Sequence, residues 1–378
     1  MTSSATAADV TRWLAVTRGL LEQPTAPLFE DLPRAHIAAA AREVGLAVSE
    51  DAAGNLVVRY GEADPTAVDR PPLVLVAHLD HPGFAVDAVD GDTVRLTFRG
   101  GLATAAVTPG SSVRFYSPGE RAPVGHGQIE ETAGTTRLTG AVARVVGGTA
   151  AGDGFAMWGF EPWDDAADRV GGRVCDDLVG AAAILCTLLD LAAGDLVGPP
   201  VWGLFTRAEE IGLLGAFEAI RLGTVPRDSV VLSLECSSLR AGARPGDGVV
   251  VRVGDRMSIF DPGVTAALVR AAEALAGHDA GFRFQRKLMD SGVCEATAFC
   301  AAGYRASGLA LPLANYHNAA DGGAGLAAEN VHVDDFAAEV RLLLELARRP
   351  ALLDPPSGGG DWLAERTARA REVLGAER

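Results

Sequence analysis

The stretch LVLVAHLDHPGF, residues 73–84, holds the key to the fold. Its first half, LVLVAH (73–78), is an unbroken apolar run with prolines before it and a polar turn after it. A run this short and continuous suits a strand buried on both faces, as in the layered sheets of α/β proteins. The run closes on His78, and Asp80 stands two residues further on. Side chains at i and i+2 of a strand project the same way. Open α/β sheets collect their reacting groups just past the carboxyl ends of strands, so these residues also predict where a site lies.

Outward from this strand, apolar residues at three- and four-residue spacing predict helices over 8–22 and 34–44. Further buried strands are expected at 201–206, 230–235, 248–253 and 307–313, with helices over 178–193, 211–222, 262–277, 292–302 and 333–348. This alternation across 170–348 implies an α/β layered core. Between 85 and 164 the texture changes to short alternating stretches such as DTVRLTFRG and SSVRFYSPG, divided by Gly, Pro and Asp turns. That is the pattern of a small all-β module. The expected organisation is an α/β domain over 1–84 and 165–352, an inserted β domain over 85–164, and a tail over 353–378. In the tail, DPPSGGG (354–360) reads as a flexible break before a charged helix near 361–374.

Composition narrows the function. Hydrophobic residues make up 48% and charged residues 22%, ordinary for a globular protein. A formal net charge of −16 disfavours nucleic acid and anionic membranes as partners. No apolar run approaches the length of a membrane span. The N-terminal stretch reads as an amphipathic helix rather than a signal peptide, and five cysteines without regular spacing form no disulfide framework. The expectation is a cytoplasmic protein. Lys287 is the only lysine, and no Gly-Lys-Ser/Thr segment exists, so phosphate-loop chemistry is excluded.

Four more segments end a strand or open a loop with a residue suited to metal: Asp176 in GRVCDDLVGAAA, Glu209 and Glu210 in VWGLFTRAEEIGLLGA, Glu235 in VVLSLECSS, and His317 in LALPLANYHNAAD. HxD alone fits a buried His–Asp hydrogen bond as well as a metal ligand with Asp80 fixing its tautomer. Its place at the end of an apolar strand favours the ligand. Asp176 and Asp177 precede a helix, where a carboxylate also serves as a cap. Two metals need shared negative charge between them, so Asp176 is expected as the bridge, with Asp177 as cap or supporting partner. The adjacent Glu209 and Glu210 point in different directions, which leaves Glu210 to bind metal and Glu209 to act as general base. Two histidines and three liganding carboxylates against two divalent cations favour a hydroxide between the metals, which would attack a carbonyl.

The set AHLD, CDDLVG, RAEEIGLLGA, LEC and YHN resembles the co-catalytic dinuclear zinc metallopeptidase clan, in particular its glutamyl and deblocking (tetrahedral) aminopeptidase family. The resemblance spans roughly 35–348 and includes HxDxxGF at 78–84 and VRVGDRMSIFDP at 251–262. It implies an α/β fold with a mixed sheet sandwiched by helices and an inserted β domain. It also implies His78, Asp176, Glu210, Glu235 and His317 as ligands of two divalent ions, with zinc first and cobalt or manganese as alternatives. Peptide substrates trimmed at the N-terminus and a homo-oligomer follow from the same likeness. The chain departs from the family at His81, usually Glu, and at Glu235, usually Asp; SGVCEA replaces a GTDA-type segment near 291–296. These departures keep an amide deacylase or carboxypeptidase-type hydrolase open, beside a non-catalytic binding or assembly protein. His81 and Glu295 are carried as candidate substrate contacts, Glu295 for a substrate amine.

Overall fold

The computed structural model describes residues 6–61, 71–164, 166, 168–194, 200–322, 325–354 and 359–374, with the backbone alone at 359–363. Residues 355–358 of the expected break lie outside the described residues.

The strand Leu73–His78 lies inside a nine-stranded mixed sheet. Parallel neighbours flank it, Val201–Thr206 on one side and Val230–Ser233 on the other. Arg305–Leu313 follows, parallel to Val230–Ser233, and then Val249–Gly254 runs antiparallel to it. The apolar run is doubly buried for the expected reason. Leu73, Leu75 and Ala77 join one core, while Val74 and Val76 join another on the opposite face. Helices Ala7–Leu21, Leu178–Ala193, Pro262–His278 and Val333–Arg348 cover the first face. Leu214–Leu222 and Glu295–Ala301 cover the second. Leu178–Ala193 is apolar nearly all round because it is packed between the sheet and two other helices.

The β module is a closed antiparallel barrel of six strands between Gly83 and Trp158. Its core centres on Phe84, which packs edge-on against Phe98 and Trp158, each with ring centroids 5.0 Å away. The fold is therefore an α/β layered structure with an inserted all-β barrel.

Several boundaries differ from expectation. The 211–222 helix starts at Leu214, because Glu209–Leu213 form a turn that leaves Leu213 in the left-handed region, at φ 59°. The 292–302 helix is limited to Glu295–Ala301. The strands Ala47–Glu50, Leu56–Tyr60 and Phe284–Leu288 were not signalled. Among the described residues, no helix is long and apolar enough to cross a membrane.

Candidate metal centre

The carboxyl ends of the central strands converge. His78 ends its strand, Glu209 and Glu210 stand in the loop after Val201–Thr206, and Glu235 follows Val230–Ser233. His317 occupies a short turn, Tyr316–Asn318, after Arg305–Leu313, and Asp176 precedes the helix at Leu178. Of these residues Glu209 is the most open, with its side chain 12% exposed.

Each histidine is oriented by a backbone carbonyl. His78 Nδ1 donates to the carbonyl of Asp80 at 3.0 Å, and His317 Nδ1 donates to the carbonyl of Gly101 at 2.6 Å. A carbonyl can only accept, so both rings carry their proton on Nδ1 and turn Nε2 inward. Gly101 belongs to the barrel, so the inserted module helps aim a residue of the centre.

The two Nε2 atoms face opposite oxygens of one carboxylate. His78 Nε2 lies 3.6 Å from Asp176 Oδ1, and His317 Nε2 lies 3.5 Å from Asp176 Oδ2. Glu210 Oε1 approaches His317 Nε2 to 3.0 Å, yet the two atoms do not align as a hydrogen bond. Asp176 Oδ1, Glu210 Oε1 and His317 Nε2 are all buried without a hydrogen-bond partner. Ligand atoms about 2.0–2.1 Å from a tetrahedral zinc stand about 3.3 Å apart, close to these separations. Donor atoms of His78, Asp176 and Glu210 fall within 4.8 Å of one another. The residues fit a divalent cation.

The electrostatics describe a centre short of positive charge. Burial alone disfavours the charged form of Asp176, but the imidazoles of His317 and His78 outweigh it and hold its carboxyl below the usual range. Burial likewise works against charged imidazole, but Asp176 and the neighbouring carboxylates raise both His78 and His317 well above the ordinary value. Burial pushes Glu209 and Glu235 well up, and adjacent carboxylates add to it. So many buried acids are costly to assemble unless a cation joins them.

Asp80 has a different role from the expected one. Its backbone carbonyl, rather than its carboxylate, accepts the hydrogen bond from His78 Nδ1. The carboxylate accepts from the amides of Glu209 at 2.9 Å and Glu210 at 3.0 Å, clamping the acidic pair. Asp177 stands at the helix cap position, but its side chain makes no capping hydrogen bond.

Two candidate substrate contacts are corrected. Glu295 is fully buried and accepts from the hydroxyls of Thr206 and Ser233, so no substrate amine reaches it as placed. His81 is 1% exposed, and its ring nitrogens face the Asp176 carbonyl at 2.8 Å and Asn318 Oδ1 at 3.0 Å. It supports the backbone of Asp176 rather than presenting a free nitrogen.

Sequence reasoning missed two carboxylates. Glu329 is fully buried and accepts from the amides of Cys175, Asp176 and His317 at 2.7, 3.1 and 2.8 Å. Glu30, also fully buried, accepts from the Ala208 amide at 3.1 Å and from Arg207 Nε at 2.8 Å. Neither stands in a pattern that periodicity would single out. The loop Glu30 holds is packed tightly: a Cβ on Gly215 would sit 2.5 Å from the Arg207 carbonyl and 2.6 Å from Asn55 Oδ1. Gly215→Ala is expected to lower stability by about 1–3 kcal/mol and to weaken catalysis by shifting the acidic pair. Thermal unfolding beside kcat tests this, and an unchanged Tm would refute it.

Residues 155–342 match the family model of the M42 glutamyl aminopeptidases. Comparison with curated protein sequences gives no match. Among solved structures, the chain is similar to aminopeptidase APDkam598 from the archaeon Desulfurococcus kamchatkensis, at 17% identity over 92% of this chain and 98% of that one, TM-score 0.75. A TET aminopeptidase from the marine sediment archaeon Thaumarchaeota archaeon SCGC AB-539-E09 shares 18% identity over 91% and 99%, TM-score 0.73. The TET1 peptidase of Pyrococcus horikoshii, which can assemble into a tetrahedron or a large octahedral shell, shares 20% over 89% and 99%, TM-score 0.70. Likeness at these identities is likeness of fold. The family match is more specific, and its span includes Asp176, Glu209, Glu210, Glu235 and His317. The chain belongs to the M42 glutamyl aminopeptidase family and is a metallo-aminopeptidase.

Proposed function

We propose that the protein removes N-terminal residues from peptides at a centre of two divalent ions, zinc first and cobalt or manganese as alternatives, with Glu209 as general base. The observation that carries this is the division of the Asp176 carboxylate, one oxygen toward each imidazole at 3.6 and 3.5 Å. A carboxylate shared in this way suits a bridge between ions. His78, Asp176 and Glu235 would hold one ion, and Asp176, Glu210 and His317 the other. Bound there, the ions would polarise a carbonyl and make water a stronger acid. Glu209 takes a proton from the attacking water and returns it to the leaving amine. Asp80 keeps Glu209 and Glu210 in fixed relation through their amides, so the base stays in register with its neighbouring ligand.

The test joins metal content to turnover on free-amine, acetylated and C-terminally varied peptides. About two ions per chain are expected, with free-amine peptides cleaved, activity lost to a chelator and regained on adding metal. Activity confined to acetylated or C-terminal substrates would move the enzyme to the deacylase or carboxypeptidase-type reading that Glu235 motivates. Failure to take up metal after reconstitution would sink the dinuclear centre. We also assign a homo-oligomer of peptide-trimming subunits, a reading supported by the TET1 assemblies. Light scattering should give a multiple of the 39.0 kDa chain, and a monomer mass would refute it.

A further inference from the structure

We infer that the pocket between the barrel and the α/β domain, lined by Arg114, Arg121 and Arg173, binds a phosphate group. None of its lining residues is among the proposed metal ligands, so the pocket is independent of the proposed function.

Arg173 follows the strand Arg169–Gly172 and is 3% exposed. Arginine carries a fork of N–H donors and does not shed its proton. Here Nη1 donates to the Tyr116 hydroxyl at 2.8 Å and Nη2 to the carbonyl of Glu22 at 3.0 Å. Its Nε is buried without a partner. Both acceptors are neutral, and among the described residues no carboxylate lies within ion-pair distance of this guanidinium, since those nearby pair with Arg114 and Arg121. Burial lowers the pKa of Arg173, and the charges of Arg114 and Arg121 lower it further. A buried cation held among like charges without a counter-ion is a costly arrangement that an anion would complete.

Arg114 lies on the barrel strand Ser112–Tyr116, Arg121 in the loop after it, and Glu22 at the end of the helix Ala7–Leu21. The carboxylates already present leave the pocket incomplete. Glu22 is shared, one oxygen with Arg18 at 3.3 Å and the other with Arg121. Glu161 pairs with Arg114 and is largely exposed, which makes it the carboxylate that an incoming dianion displaces. Three lining arginines against two lining glutamates leave one positive charge, in a chain whose net charge is −16. Guanidinium forks match phosphate oxygens in pairs, and a dianion can answer more than one fork at once. The free volume of about 480 Å³ is larger than a bare ion needs. Arg114 and Pro123 also line an adjoining groove with Gly125, Gly147 and Gly148, where an organic group could lie. The phosphate therefore has two chemical sources: the free ion, or a phosphomonoester whose organic part enters the groove.

Calorimetry on the full chain, in a buffer free of phosphate and sulfate, tests the site with inorganic phosphate and with glycerol phosphate. At least one probe should bind saturably, and at least about tenfold more weakly to Arg121→Gln and to Arg173→Gln. Glu161→Gln removes the competing carboxylate and should tighten binding about two- to fivefold. Tighter binding of the ester assigns an organic phosphate, and equal or weaker binding of the ester assigns the free ion. Arg121 is exposed, so Arg121→Gln decides the matter even where Arg173→Gln fails to fold. No saturable binding by either probe overturns the site. Phosphate that binds the parent and Arg121→Gln equally well lies elsewhere, the metal centre included, and overturns it too. Peptidase activity does not enter the readout, so failure of the proposed reaction would leave the site standing.

Discussion

Glu209→Gln is expected to fold, to keep its metal ions and to turn over peptides about 10²–10⁴-fold more slowly than the parent protein. Two features separate this residue from the proposed ligands around it. The close contacts that link Asp176, Glu210 and His317 do not include Glu209, whose Oε2 comes no nearer than 4.0 Å to the Nε2 of His78. Its backbone amide, not its side chain, is what Asp80 holds. Glutamine keeps the shape and the amide anchor and loses only the capacity to take a proton. The loss should therefore fall on kcat, with metal content and Tm near those of the parent. A variant that loses metal together with activity would make Glu209 a ligand and leave the base unassigned. Near-parental kcat with full metal content would remove it from the mechanism.

The strands that build the centre were legible because burial on both faces leaves a local trace. LVLVAH has no polar position for either face, and the structure divides its side chains between two cores. Leu178–Ala193 and Val333–Arg348 were found to the residue, since long apolar periods dominate both. The missed strands are short and partly wet. Phe284–Leu288 includes Arg286 and Lys287 and shows no apolar run. Polar residues were harder because their surroundings come from distant segments. His81 reads as a candidate substrate contact until Asp176 and Asn318 close on its ring. Glu295 stands at a helix start, ordinarily an open place for a carboxylate, but that helix is seated under the strand ends and buries it between Thr206 and Ser233. The convergence of five separate segments on one point was legible only as an order of residue types. The distances that join them belong to the tertiary fold.

Glu329 shows how much of the centre depends on residues without any such trace. One carboxylate holds the amides of Cys175 and Asp176 on one side and of His317 on the other, so it ties together the two chain segments that bear the proposed bridging carboxylate and a histidine. Glu329→Gln keeps the volume but offers one acceptor oxygen and one amino group. Whichever way the amide lies, a donor meets a backbone donor on one side, and each buried amide left unsatisfied costs about 1–3 kcal/mol. Relaxation of either segment would alter the spacing between Asp176 and His317. Metal affinity is therefore expected to fall about 10–100-fold, as for other residues that orient ligands, measured by competition with a chromogenic chelator. Saturating metal should restore much of kcat/KM, because Glu329 touches neither substrate nor reacting atoms. A merely structural residue would lower Tm and leave the chelator competition unchanged, and that result would remove Glu329 from the centre. The stronger coupling predicted here has a further consequence: metal should stabilise the parent protein more than the variant, since in the parent the segments are already held where the ions need them.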